Sequence, residues 1–288
     1  MNKIESLAND TNKFSLKKIT DIFKNIKNKR IIYIVSGLIA LFVIVILAAI
    51  FISRAKTEKT NLTAKIDPSK GILAINSDKT IYTPSETARI EMAVLDNTGK
   101  PICKANLVLT IQTPDKKETI LKDNQINFSS TCGDNNVTNS PDYLVNYKPE
   151  MVGRYFIKLV NPATSAEIEN SFEVKKTREL DIVRETAIRI TPSKSTRYPV
   201  RFKVTSTKDY SGNLTDLVPS SFSIPWQGPA KLEKTEKGTK ITWEVSLKAN
   251  QTQEFIYEYT PPEESLKFYQ LGETGDWQVV AGSLSAPK

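Results

Sequence analysis

The chain has 288 residues with 39% hydrophobic and 8% aromatic content, enough for one or two packed domains and too apolar for a disordered protein. It contains no histidine, which removes the usual general base, the commonest zinc ligand and the partner of serine and cysteine nucleophiles. The formal charge of +8 is uneven: residues 1–30 hold eight Lys/Arg against three acids and 53–69 hold four against two, leaving 28 against 27 from Lys70 onward. A nearly neutral body lacks the concentrated basic patch of a nucleic-acid-binding domain, so no nucleic-acid partner is expected.

Residues 1–30 read as a basic cytoplasmic tail. From Ile31 to Ile52 the chain runs 22 residues without a charge, a span of about 33 Å as a helix, which matches a bilayer core. The stretch is longer than the apolar region of a cleaved signal peptide and "FISRAK" after it offers a poor small-residue cleavage site, so an uncleaved anchor is expected. Lys17, Lys18, Lys24, Lys27, Lys29 and Arg30 stand before the span and Arg54, Lys56 and Lys59 after it. That bias puts the N-terminus in the cytoplasm and the rest outside, with the lipid bilayer as partner through 31–52. Residues 53–69, polar with Pro68 near the end, read as a stalk.

Strand signals begin after Pro68: "GILAIN", "ETARIEMAVLD", "PICKANLVLTIQ", "ETILKD", "DYLVNY", "GRYFIKLV" and "NSFEV". They are short, often alternating and separated by turn chemistry, which predicts an antiparallel sandwich over 70–176. Cys103, Ala105, Leu107, Leu109 and Ile111 are expected on one face of the third. "DKTIYTPSETARIEMAVLDNTGKPICKANLVLTI" followed by "YKPEMVGRYFIKL" resembles the immunoglobulin-like sandwich of the macroglobulin type and related bacterial surface modules. Tyr82, Pro84 and Glu86 match that family's opening turn, Gly99 and Pro101 its hairpin, and Gly153 with Tyr155 its late strand. Ser85 departs from it, standing where a glycine is usual. The resemblance implies a fold and a surface setting, with no chemistry attached.

Tyr155 is expected to put its ring in the core and its hydroxyl on neighbouring loop backbone, while Ile157 fills the place of a core cysteine. Pairing 113 with 118 in a "TPDKK" hairpin sets 103 opposite about 128, with Cys132 in reach. In an oxidising exterior this favours a Cys103–Cys132 disulfide over two free thiols. Residues 129–142, "SSTCGDNNVTNSPD", form the longest polar insertion outside the membrane. Asp134, Asn135 and Asn136 there read either as turn residues or as ligand contacts.

A second strand series, from "ELDIVRETAIRI" to "DWQVVAG", predicts another sandwich over 177–283 with Trp243 as core anchor and a short tail at 284–288. "GNLTDLVPSSFSI" with "KITWEVSLKANQTQEFIYEYTPP" resembles the conserved repeat domain of prokaryotic surface proteins, which implies a spacer or adhesive module. "DYSGNLTD" spaces Asp209, Ser211, Asn213 and Asp216 like oxygen ligands, yet lacks the glycine and glutamate positions of an EF-hand, so it reads as a turn. Trp226, in the Pro- and Gly-bounded "SIPWQGP", reads as an exposed contact residue or a packed loop tryptophan.

The fold expected is an all-β ectodomain of two tandem antiparallel immunoglobulin-like β-sandwiches behind one N-terminal transmembrane helix. The function expected is a non-enzymatic, membrane-anchored surface protein that binds a surface protein or glycan, adheres, or acts as a spacer, with no cofactor and no metal. The alternative is a structural subunit of an envelope assembly such as a secretion or pilus-like machine.

Overall fold

Period-two alternation dominates the sequence after Pro68, and the computed structural model, which describes residues 66–133, 141–193 and 195–283, turns it into nineteen strands. No helix among the described residues is long and apolar enough to cross a membrane. The segment 31–52 lies outside the described residues, as do the tails 1–30 and 284–288.

The first nine strands are β1 (Ile72–Ser77), β2 (Ile81–Tyr82), β3 (Ala88–Leu95), β4 (Val108–Gln112), β5 (Glu118–Lys122), β6 (Asn127–Phe128), β7 (Tyr143–Tyr147), β8 (Gly153–Asn161) and β9 (Ala166–Val174). They build two facing sheets, ordered β1-β3-β7-β6 and β2-β9-β8-β4-β5. Strand β8 shows why: Tyr155, Ile157 and Leu159 are buried while Arg154 before them and Phe156 among them are exposed. Tyr155 stacks on Phe172 with centroids 5.1 Å apart, and Tyr82 meets the same ring edge-on at 5.1 Å. Ser85 adopts φ 66, the left-handed region, which explains why a glycine would suit that turn.

The remaining strands are β10 (Leu180–Glu185), β11 (Arg189–Ile190), β12 (Tyr198–Ser206), β13 (Tyr210–Val218), β14 (Ser223–Trp226), β15 (Lys231–Thr235), β16 (Gly238–Leu247), β17 (Thr252–Thr260), β18 (Lys267–Leu271) and β19 (Trp277–Ala281). Sheet β10-β12-β17-β14 packs against β13-β16-β15, with a third sheet β11-β19-β18 closing one side. Trp243 of β16 sits in that core within 6.0 Å, centroid to centroid, of Phe202, Phe255 and Tyr257.

Three sequence expectations need correction. The β4–β5 hairpin pairs Gln112 with Glu118, one residue off the expected 113 with 118. Lys116 at φ 69 makes a three-residue turn with a left-handed residue, and Thr113 N–H donates to the Lys117 carbonyl at 2.9 Å. Residues 102–107 are irregular, so Cys103 and Ala105 lie outside strand β4. "DYSGNLTD" is neither a turn nor a cation loop: most of it lies in β13, paired along β16 from Tyr210 opposite Leu247 to Val218 opposite Thr239.

No sheet mixes strands from β1–β9 with strands from β10–β19, yet both groups belong to one compact unit, Ala64–Lys288. Strands β1 and β19 are buried almost throughout on both faces, which is why each reads as a nearly continuous apolar run. Ile72, Ala74, Ala93 and Leu95 of the first group join the same apolar cluster as Trp277, Val279, Val280 and Ala281. Ile66, expected in the stalk, also packs against it.

Several polar groups pair across this joint. The Asn76 side chain donates to the Gln278 carbonyl at 2.8 Å and accepts from its N–H at 2.7 Å, while Gln278 Oε1 accepts from Ile75 N–H at 2.9 Å. Asn170 donates to the carbonyls of Ile75 and Asp276 at 2.9 and 3.0 Å. Lys79 and Glu86 meet Arg178 and Asp181 in a four-charge network, with Lys79–Asp181 at 2.9 Å and Arg178–Asp181 at 3.0 Å. Polar bonds that run between the two groups of strands in this way fix one relative placement of the groups that share them.

Candidate binding surface

The polar insertion leaves the first sandwich after β6 and returns into β7, two strands that pair through Asn127 opposite Leu144 and Phe128 opposite Tyr143. Ser129 N–H donates to the Asp142 carbonyl at 2.8 Å and closes the base of the loop. Cys132 N–H turns back on the Ser129 carbonyl at 3.1 Å. Residues 134–140, and with them Asp134, Asn135 and Asn136, lie outside the described residues.

Three further ties hold this base. Cys103 and Cys132 form a disulfide with Cα atoms 5.6 Å apart, joining the loop to the irregular segment before β4. That segment is held in turn by Tyr143, whose hydroxyl donates to the Ile102 carbonyl and accepts from Ala105 N–H at 2.8 Å. Burial pushes the Tyr143 hydroxyl above its ordinary pKa, so it stays protonated as a donor. At the other end Asp142 takes a two-pronged bond from Arg189 of β11, at 2.9 and 3.1 Å, both side chains under a tenth exposed. The loop is therefore moored to both groups of strands.

Phe128 stands beside this base and is 53% exposed, with the Lys104 ammonium 5.8 Å from its ring centroid. Sequence reasoning passed over it. Its signal was a large aromatic directly before a polar run, in a strand too short to show alternation. An exposed ring with a cation beside it can stack on a flat apolar face or a sugar ring, the chemistry of an anchor residue in recognition.

Trp226 is elsewhere. It is 46% exposed at the end of edge strand β14, opposite Glu258 of β17, in a strand made irregular between Ser223 and Trp226. Its ring lies over Gly228, where an added Cβ would sit 3.5 Å from it. The expected loop is thus a strand, and the tryptophan stands on the second group of sheets while Phe128 and the disulfide stand on the first.

Tyr155 is buried and accepts Met151 N–H at 2.9 Å, so its hydroxyl fixes the turn before its own strand. Ile157 is fully buried. Both carboxylates of "DYSGNLTD" are engaged elsewhere. Asp209 accepts from Lys248 and Ala249 N–H at 2.8 and 3.0 Å, whereas Asp216 is buried against Arg184 and the Tyr257 hydroxyl, both at 2.7 Å. Burial pushes the Asp216 carboxyl up, with Arg184 and Tyr257 pulling the other way. Arg184 also lies over the Phe202 and Trp277 rings at 5.0 and 5.6 Å, which marks the set as core structure. Among the described residues no group of three or more His, Cys, Asp or Glu is placed to hold a metal ion.

No family model matches the sequence, and no curated protein matches it. Among solved structures the chain is similar to a trypsin-activated alpha-2-macroglobulin from Escherichia coli, at 12% identity and TM-score 0.29 over 70% of this chain and 14% of that one. It is also similar to FdeC, an Escherichia coli adhesin, at 10% identity and TM-score 0.26 over 76% of this chain and 65% of that one. The chain thus spans less than two thirds of either protein.

Proposed function

We propose that this chain is a single-pass, membrane-anchored surface protein without enzymatic activity. In this reading residues 31–52 cross the membrane and the N-terminus is cytoplasmic. Residues 70–176 and 177–283 are two immunoglobulin-like sandwiches fused into a stiff spacer that presents the loop 129–142 and Phe128 to a surface protein or glycan. The observation that carries the reading is the mooring of the loop base by the Cys103–Cys132 disulfide, the Tyr143 hydroxyl and the Asp142–Arg189 pair. A base held this firmly lowers the ordering cost of a contact made by the loop above it.

The test is adhesion. Non-adherent cells displaying the full chain are expected to gain binding to a panel of immobilised glycans and cell-surface proteins. Substituting Asp134, Asn135 and Asn136 by Ala, or Phe128 by Ser, is expected to abolish it at equal surface expression. Adhesion that survives both changes would refute the loop as the contact.

A further inference from the structure

Among the described residues strand β5 is the edge of the five-stranded sheet, with β4 on one side and no strand on the other. Its residues are mostly exposed, and Ile120, 57% exposed, is the most exposed large apolar side chain among the described residues. An open edge of this kind is a template for another strand.

The hairpin fixes which backbone groups point outward. Thr113 and Lys117 form a hydrogen-bonded pair, so in the register that follows, Thr119 opposite Ile111 and Leu121 opposite Leu109 bond to β4. Glu118, Ile120 and Lys122 therefore turn their N–H and C=O groups away from β4. The Lys122 N–H points the same way and is met by the Gln125 side chain at 3.3 Å, so pairing with a further strand rests on both backbone groups of Ile120, the Glu118 N–H and the Lys122 carbonyl. Side chains of these same three residues share the outer face of the sheet.

The charges along this edge have a particular symmetry. The segment reads Lys117, Glu118, Thr119, Ile120, Leu121, Lys122, Asp123. Laid antiparallel on a copy of itself and centred on Ile120, strand β5 sets Glu118 opposite Lys122, Thr119 opposite Leu121 and Ile120 opposite Ile120, with Lys117 in the turn before the strand and Asp123 in the 3-10 turn after it. Every charge of the strand meets its opposite, twice over by symmetry, and the exposed isoleucines cover each other at the axis. Three other edges are less suited to it. Strand β15 centred on itself sets Glu233 against Glu233, β14 carries Pro225 within its irregularity, and the C-terminal end of β10 is tied to the first group by Arg184 N–H bonding the Asp78 carbonyl at 2.9 Å.

We propose that β5 is a homodimer edge, pairing antiparallel with β5 of a second copy about a two-fold axis through Ile120, so that two five-stranded sheets become one. The interface is isologous, as closed dimers require, and main-chain bonds supply affinity while the charge order fixes the register. This proposal is independent of what the loop binds.

The test uses the full chain in detergent, with mass measured by light scattering and sedimentation. The wild type is expected to dimerise. Glu118→Lys brings two lysines together on each side of the axis, and Lys122→Glu brings two glutamates together there. Each is expected to weaken self-association at least about tenfold, since directly opposed like charges are destabilising where opposite charges stabilise. The double variant E118K/K122E restores both pairs and is expected to recover the dimer, as is a mixture of the two single variants. Ile120→Pro removes an outward N–H that β4 does not use and is expected to give a monomer with unchanged far-ultraviolet circular dichroism and an intact disulfide. A wild type that stays monomeric, or a dimer indifferent to both charge reversals, overturns the proposal; the latter would place self-association in the apolar segment 31–52.

Discussion

Asn76 grips Gln278 with both ends of its amide, giving a proton to its carbonyl at 2.8 Å and taking one from its N–H at 2.7 Å. A side chain of β1 thereby does for β19 what a neighbouring strand would do. The two residues are 202 positions apart, and the contact joins the two groups of sheets.

Asn76→Ala is expected to destabilise the chain by about 2–4 kcal/mol, because it strands a buried N–H and a buried C=O at once. A lower urea midpoint in equilibrium unfolding checks this. Asn76→Asp keeps the acceptor and loses the donor, and is expected to be no milder, since it also buries a charge.

Gly99 sits at φ 85, and a Cβ there would lie 2.5 Å from the backbone nitrogen of Ser283. Gly99→Val is therefore expected to break the bond from Ser283 N–H to the Gly99 carbonyl, now 2.9 Å, and to cost at least about 1 kcal/mol through backbone strain alone. Limited proteolysis should cut the C-terminal strand of the variant before the rest.

Glu91 supplies a pH dependence. Burial raises its carboxyl to about 7 against the pull of Arg89, with Asp78 and Glu185 adding like charge. A carboxylate whose folded pKa lies above its unfolded value binds more protons folded than unfolded between about 4.5 and 7. Stability therefore falls as pH rises through that window, by up to about 3 kcal/mol. Glu91→Gln is expected to flatten the slope, matching the parent near pH 4.5 and exceeding it at pH 8, as read from thermal midpoints across pH. Glu86 has the opposite sign: burial opposes its charge, but Arg178, Lys79 and Thr83 N–H hold it at about 2. Its contribution is present above about pH 4.5 and is lost as pH falls toward 2.

Removing the disulfide as Cys103→Ser with Cys132→Ser is expected to cost about 3–4 kcal/mol in the chain-entropy description, for a sequence separation of 29. Tyr143 and Asp142 still hold the loop base, so the chain is expected to fold and to melt lower, with adhesion reduced more than stability alone explains.

Much of the all-β character was legible because buried faces recur every second residue, as in Val200, Phe202 and Val204 of β12. Strand β13 was not, because its buried Asp216 is compensated by Arg184 of β10 and Tyr257 of β17, partners that only the fold brings near. The hairpin register slipped by one because Lys116 takes a left-handed conformation that its residue type does not advertise. The joint was invisible for the same reason as β13. Asn76, Asp142 and Gln278 look like surface residues in a linear pattern and are buried only through contacts across the whole chain. At the candidate site the cysteine pair could be anticipated from spacing and setting, whereas Phe128 needed its exposure to be seen.

A binding role for the loop depends on where residues 64–288 reside. Protease added to intact cells expressing the full chain with an N-terminal tag should trim it to a membrane-retained fragment ending shortly after residue 52, while the tag stays protected until the membrane is opened. Retention of the full-length chain on intact cells, with cleavage only after lysis, would contradict the surface placement and the adhesive function built on it.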